Sequence, residues 1–161
     1  MMVAQQDVYS RPIKDIMNRD VVTINAAGTI HEALILMEEN RVSTLPVVDN
    51  DDHCVGILST SDLVDMTRDV DDDVYELDHA DPASQRFLVE KLIHSMGSES
   101  IQSFMSETVC TVDAKATILK AVRTMLKDQI HHLPVLDDNG RLVGIISTMD
   151  ILGEFADAFP E

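Results

Sequence analysis

The stretch VGILSTSD at Val55–Asp62 returns as VGIISTMD at Val143–Asp150, 88 positions further along the chain. Outward from it in the same register, LPVVD at Leu45–Asp49 falls on LPVLD at Leu133–Asp137. Met17, Val21, Thr23, Thr29, Ile30, Ala33 and Met37 fall on Met105, Val109, Thr111, Thr117, Ile118, Ala121 and Met125. No gap is needed between Met17 and Leu63, so the chain holds two copies of one supersecondary unit.

Each copy reads as strand, helix, strand, strand, helix. Val21–Ile24 and Val109–Val112 are short runs rich in β-branched residues and read as first strands. Ile30, Ala33, Leu34 and Met37 form an i, i+3, i+4, i+7 stripe, repeated by Ile118, Ala121, Val122 and Met125, which predicts a helix with both methionines in the core. Thr29 and Glu32 stand at capping-box spacing. The LPVV and LPVL segments read as second strands, and turns at Asp49–Asp52 and Asp137–Gly140 lead into CVGIL and LVGII as third strands. Asp138, Asn139 and Gly140 favour a hairpin turn. A right-handed crossover makes the first two strands parallel, and the third joins antiparallel. A unit of about fifty residues is too small to bury its apolar face alone. The two copies are therefore expected to pack with pseudo-twofold symmetry in an α/β fold (α+β by some schemes), with ligand-sized grooves at the seam.

The 161 residues include 29 acidic and 12 basic side chains, a formal charge of −17, which repels nucleic acid polymers and anionic membranes. Hydrophobic residues make up 45% but aromatics only 4%, so the core is expected to be aliphatic and methionine-rich. The sequence contains neither a signal-peptide pattern nor an apolar run of spanning length, which points to a cytoplasmic protein. Cys54 and Cys110 form no CxxC pair and read as buried thiols in a reducing compartment. Between the copies, Asp65–Asp81 holds eight acids against Arg68, and Ser84–Met96 looks helical. Val74 stands where a calcium loop beginning at Asp69 needs glycine, so this stretch reads as a solvated loop.

The chemistry lies at the end of the third strand, in the motif G-h-h-S-T-x-D (h apolar) of Gly56–Asp62 and Gly144–Asp150. One reading is a helix start, with Ser59 or Ser147 capping and the aspartate returning the bond. The other is a ligand site, with hydroxyl and helix N-terminus holding a phosphate while the aspartate accepts from a ribose diol. A carboxylate has two oxygens, so both can hold together. His131 and His132 read either as a polar strand edge or as a phosphate contact. Neighbours on a strand point to opposite faces, so the pair suits no metal. His31, His53, His79 and His94 receive no role. No G-x-S-x-G, P-loop or H-E-x-x-H pattern is present, and the chain is read as a non-enzyme.

These tandem motifs resemble a CBS-domain pair, or Bateman module, over roughly Ser10–Phe155. The resemblance implies a first CBS repeat at 10–68, an acidic and helical linker insertion at 69–100, and a second repeat at 101–157. It implies a regulatory module that requires no cofactor and binds an adenosine ligand such as AMP, ADP, ATP or S-adenosylmethionine. A homodimer and an unidentified regulated protein are the partners it suggests. Carried onto this sequence, Asp150 takes the ribose, Ser147 offers a hydroxyl on the phosphate side, Ile145 packs on the ligand, and His131 and His132 meet the phosphates. Val22, Val42 and Ser43 frame the base. Met149 departs from the hydroxyl often found there, which weakens phosphate binding. The second cleft takes Asp62, Ser59, Ser61 and Ile57, with Ser43 and Thr44 in place of the histidines, and Cys110, Ile130 and His131 opposite. It lacks a matched cation and is the weaker phosphate site. The charge of −17 disfavours ATP, leaving AMP or ADP as the favoured ligand. The alternatives are a ligand-free dimerising scaffold and a module for the cationic sulfonium of S-adenosylmethionine.

Overall fold

Thr29 and Glu32 do what their spacing predicts. The Thr29 hydroxyl accepts the Glu32 N–H and the Glu32 carboxylate accepts the Thr29 N–H, opening helix α1 (Ile30–Asn40), which closes on Arg41 in the left-handed region. The computed structural model describes residues 8–68, 81–84, 86–87, 90, 98–107 and 109–159. It divides into two compact units: Val22–Asn50 with Val55–Val109, and Met1–Val21 with Asp51–Cys54 and Cys110–Glu161.

The first of these units carries strands β1 (Ile24–Asn25), β2 (Thr44–Val48) and, from Val55 onward, β3 (Cys54–Ser59), hydrogen-bonded in that order, then helix α2 (Thr60–Arg68). β1 runs parallel to β2, with Ile24 opposite Val47 and Asn25 opposite Val48. The other unit repeats the pattern with β4 (Val112–Asp113), α3 (Ile118–Asp128), β5 (His132–Leu136), β6 (Leu142–Ser147) and α4 (Thr148–Ala158). β4 is parallel to β5, which is antiparallel to β6. The first strands begin later than predicted. Val21–Thr23 and Val109–Thr111 have the β-branched composition, but a ladder needs a partner, and pairing starts only at Ile24 and Val112.

The predicted helix stripes are the buried faces. Ile30, Ala33 and Met37 pack with Ile24, Leu45, Val47 and Leu58 in one core, and Ile118, Ala121 and Met125 pack with Val112, Leu133, Val135 and Ile146 in the other. Each core also takes an isoleucine from the lead-in segment of the opposite copy. Fully buried Ile101, in a 3-10 turn at Ile101–Ser103, completes the first core, and its N–H donates to the Gly28 carbonyl. Fully buried Ile13, in a turn at Ile13–Asp15, completes the second, and its N–H donates to the Ala116 carbonyl. Burial of one such side chain contributes about 1.5–3 kcal/mol.

The lead-in then crosses its edge strand. Asn18 exchanges two backbone hydrogen bonds with Ile145, at 2.9 and 3.0 Å. Met17 lies so close to β6 that a Cβ on Gly144 would come 2.5 Å from its Sδ. Ser106 and Ile57 repeat the exchange, with Met105 Sδ 2.6 Å from where a Cβ of Gly56 would be. The motif glycine is therefore a packing requirement.

The thiols correct an expectation. Cys54 and Cys110 are half-buried, not sealed in the core, because each stands at the margin of a sheet. The Asp71–Asp73 run, His79 and His94 lie outside the described residues, as does most of the helix predicted at Ser84–Met96, of which residues 84, 86, 87 and 90 are helical. No helix among the described residues is long and apolar enough to cross a membrane.

Candidate functional site

Ser147 ends β6 with an extended backbone (φ −112°, ψ 164°), which turns its side chain back over the first turn of α4. Its hydroxyl accepts the Asp150 N–H at 3.2 Å. A carboxylate only accepts, so Asp150 Oδ2 receives both the Ser147 N–H at 2.8 Å and the Ser147 hydroxyl hydrogen at 2.9 Å. Ser59 and Asp62 make the same three bonds at 2.8, 2.9 and 3.2 Å. The capping reading of the motif is thus realised in both copies, and each aspartate spends one oxygen on it. The other oxygen of Asp150 accepts no hydrogen bond among the described residues. Asp150 is half-buried, so that oxygen is held in a fixed direction by the cap rather than left on a swinging side chain.

The cap also uses donors that would otherwise face an anion. The Ser147 hydrogen and N–H go to Asp150, and the Thr148 N–H donates to the His131 carbonyl at 3.0 Å. With the cap intact, the Ser147 hydroxyl keeps a lone pair for a ligand and no hydrogen.

His132 is the cross-strand partner of Ser147, and Pro134 that of Ile145. Directly opposed residues share a face, and side chains two apart on a strand share one too. His132, Ile145 and Ser147 therefore stand on the face turned away from Leu133 and Ile146, which belong to the core. Ile145 is half-buried but belongs to no core cluster, and Ile57 is likewise. Burial pushes the His132 pKa below the ordinary imidazole value. The neighbouring His131 charge adds to this, and the Asp150 carboxylate opposes it. His132 thus feels Asp150 and is neutral at pH 7, able to donate one N–H. His131 is exposed at the same end of the strand.

This unit therefore gathers Asp150, Ser147, Ile145, His131 and His132 at one end of the β5–β6 pair. The unit's other two candidates are Ile130 and Cys110. Ile130 packs on the core and gives its N–H to the Met125 carbonyl at 3.0 Å. The Cys110 thiol donates to Asp128 at 3.3 Å, and burial, with Asp128, pushes its pKa up, so it stays a protonated thiol.

The other unit gathers Asp62, Ser59, Ser61, Ile57, Ser43 and Thr44. Ser43 is tied to this end by its carbonyl, which accepts the Thr60 N–H at 2.9 Å. Ser61 is exposed on the first turn of α2, and Thr44 opens β2. Val22 and Val42 pack against this unit's core.

A family model described as CBS domain matches residues 13–69 and 101–157. A CBS domain-containing protein of Dictyostelium discoideum is 30% identical over 141 residues, covering 87% of this chain and 88% of its own length. Among solved structures, CBSX2 of Arabidopsis thaliana in complex with AMP aligns with a TM-score of 0.66 at 22% identity, over 91% of this chain and 96% of that one. The CBS domain pair of protein MJ0100 in complex with 5′-methylthioadenosine and S-adenosyl-L-methionine aligns with a TM-score of 0.68 at 22% identity, over 92% and 98%. At that identity the two structures establish a shared fold.

Proposed function

This chain belongs to the CBS-domain family as a tandem pair, and we propose from that premise that it is a regulatory module that senses adenine nucleotides, with AMP or ADP the favoured ligand. It is a cytoplasmic non-enzyme in this reading. It works as a homodimer and modulates a partner protein through a ligand-dependent conformational change.

The observation that carries the reading is the Asp150 carboxylate, pinned through one oxygen by Ser147 with the other oxygen unbonded. A fixed, half-buried acceptor suits a ribose diol, whose two hydroxyls have hydrogens to give. Ile145, outside the core on the same face, offers an apolar surface to the nucleoside. His131 and His132 supply the phosphate donors, and Ser147 acts by orienting Asp150. Asp62 repeats the acceptor, but Ser43 and Thr44 replace the histidines, so that end suits phosphate less well. AMP is bound by the similar CBSX2, which supports the ligand class.

S-adenosylmethionine is the second reading. The capping bonds consume donors that an anion would need, and a chain of charge −17 attracts a sulfonium cation. Isothermal titration calorimetry against AMP, ADP, ATP and S-adenosylmethionine separates the readings. Binding of AMP or ADP more tightly than ATP or S-adenosylmethionine is the expected result. Preference for S-adenosylmethionine transfers the assignment to the second reading, and silence with all four leaves a ligand-free scaffold.

A further inference from the structure

Of the five asparagines in the chain, only Asn139 is followed by glycine. The other four also have their side-chain amides tied. Asn18 Oδ1 accepts the Asp20 N–H, Asn25 accepts the Ala27 N–H and donates to Asn50, and the Asn40 amide donates to the Leu36 carbonyl. Asn139 is exposed at the hairpin between β5 and β6, and among the described residues its side chain makes no hydrogen bond. Gly140 follows in the left-handed region at φ 76°, with no Cβ to crowd its backbone nitrogen. Asp137 holds this turn closed. Its Oδ1 accepts the Asn139 N–H at 2.8 Å and the Arg141 N–H at 2.9 Å, and its carbonyl accepts the Gly140 N–H at 3.1 Å. The first copy has Asp51 and Asp52 in place of Asn139 and Gly140, with Asp52 at φ 64°.

We propose that Asn139 is a site of spontaneous covalent modification, at which the Gly140 backbone nitrogen attacks the side-chain amide and the Asp137 turn sets the rate. The attack forms a bond from the Gly140 nitrogen to Asn139 Cγ and breaks the Cγ–Nδ2 bond. The Gly140 amide proton passes through solvent to the departing nitrogen, ammonia leaves, and a succinimide ring remains. Water then opens the ring at either carbonyl. Breaking the new Cγ–N bond leaves aspartate at this position, and breaking the original peptide bond leaves isoaspartate, with the chain rerouted through Cγ. The net change is one water taken up and one ammonia lost, the reaction that makes asparagine thermolabile. The attacking nitrogen is the one whose N–H the Asp137 carbonyl holds, so the reaction runs from the opened turn. Aspartate suits this place, since Asp51 fills it in the first copy. Isoaspartate lengthens the backbone by one carbon, so the Asp137 carboxylate no longer spans the two N–H groups it now holds, and the β5–β6 pair loses its closed end at Leu136 and Leu142. The nucleotide candidates stand at the other end of that pair, where His132 faces Ser147, and the modification leaves them in place.

The test holds the purified full-length chain for weeks in mildly alkaline buffer and maps its digest by mass spectrometry, with fragmentation to place each amide-to-acid mass gain and to tell isoaspartate from aspartate. Native wild type is expected to convert at Asn139 ahead of the other four asparagines, with isoaspartate as well as aspartate among the products, and Asn139→Gln to remove the conversion. Asp137→Ala deletes the charged acceptor of two turn hydrogen bonds and should speed conversion by about tenfold or more. Wild type unfolded in guanidinium chloride, where the turn is gone, should show at least as large an acceleration, which tests the turn even where Asp137→Ala folds poorly. Conversion that favours another asparagine, or an Asn139 that stays intact, overturns the site. Aspartate formed without isoaspartate overturns the succinimide route. Equal rates in native wild type, Asp137→Ala and unfolded chain overturn the control by the turn.

Discussion

Ser147→Ala and Asp150→Ala, made separately, divide the helix cap from the ligand site that shares its residues. Both changes break the same box. Ser147→Ala removes the acceptor for the Asp150 N–H and one of the two donors to Oδ2, while Asp150→Ala removes the acceptor for both Ser147 donors. Loss of an N-cap costs about 0.5–2 kcal/mol. At about 2–4 °C per kcal/mol for a chain of this size, either variant should melt about 1–8 °C lower. Binding should divide them. Asp150→Ala also removes a charged acceptor for the ribose hydroxyls, a loss of about 1.5–3 kcal/mol, which is about 12- to 140-fold in the AMP dissociation constant. Ser147→Ala leaves the carboxylate in place and should weaken AMP by well under tenfold. Asp62→Ala should melt early like the others and cost less affinity than Asp150→Ala. Thermal melts and calorimetry on the same samples give both numbers. An Asp150→Ala variant that loses stability but keeps its affinity would reduce the aspartate to a cap and refute the reasoning. Equal affinity losses at Asp62 and Asp150 would overturn the ranking of the two ends.

Gly144→Ala should destabilise by about 1–3 kcal/mol, because its Cβ would sit 2.5 Å from Met17 Sδ. Combined with Met17→Ala it should cost less than the sum of the two single losses, and additive losses in a denaturation double-mutant cycle would refute the close contact. Met125→Ala should cost about 2–5 kcal/mol in urea unfolding, since Met125 is 4% exposed in its core. It should leave AMP affinity unchanged. His132 has a lowered pKa, so below its ordinary 6.5 the unfolded chain binds more protons than the folded one. That contribution to stability is intact above pH 6.5 and is lost as pH falls through the lowered value. His132→Gln should flatten the fall in melting temperature between pH 6.5 and 5, and an unaltered fall would count against a buried neutral imidazole.

Much of this architecture was legible because the chain states it twice. The register that laid VGILSTSD on VGIISTMD carried the helix stripes, the turns and the strand order with it, and burial of Met37 and Met125 followed from spacing alone. The first strands were misplaced at Val21 and Val109 because β-branched composition marks extended backbone, while a ladder is decided by a partner more than twenty residues away. The exchanged lead-ins were hidden for the same reason. Met17 and Met105 showed in the register only as matching methionines, with nothing local to say that each lies on a glycine of an edge strand. At the site, S-x-x-D announced both a cap and a ligand group. The division of the carboxylate into one bonded and one unbonded oxygen depends on atomic direction, and the loss of the Thr148 N–H to the carbonyl of His131, just ahead of the neighbouring strand, is non-local. Neither can be read from residue types.

The most direct measurement compares, by calorimetry, the affinity of the wild-type protein for AMP and for its 2′,3′-dideoxy analogue, which keeps the base and phosphate and lacks only the diol. A site whose fixed acceptor is the Asp150 carboxylate should bind the analogue about 12- to 140-fold more weakly, the same 1.5–3 kcal/mol expected for removing the carboxylate itself. Equal affinity for the two compounds would contradict the account.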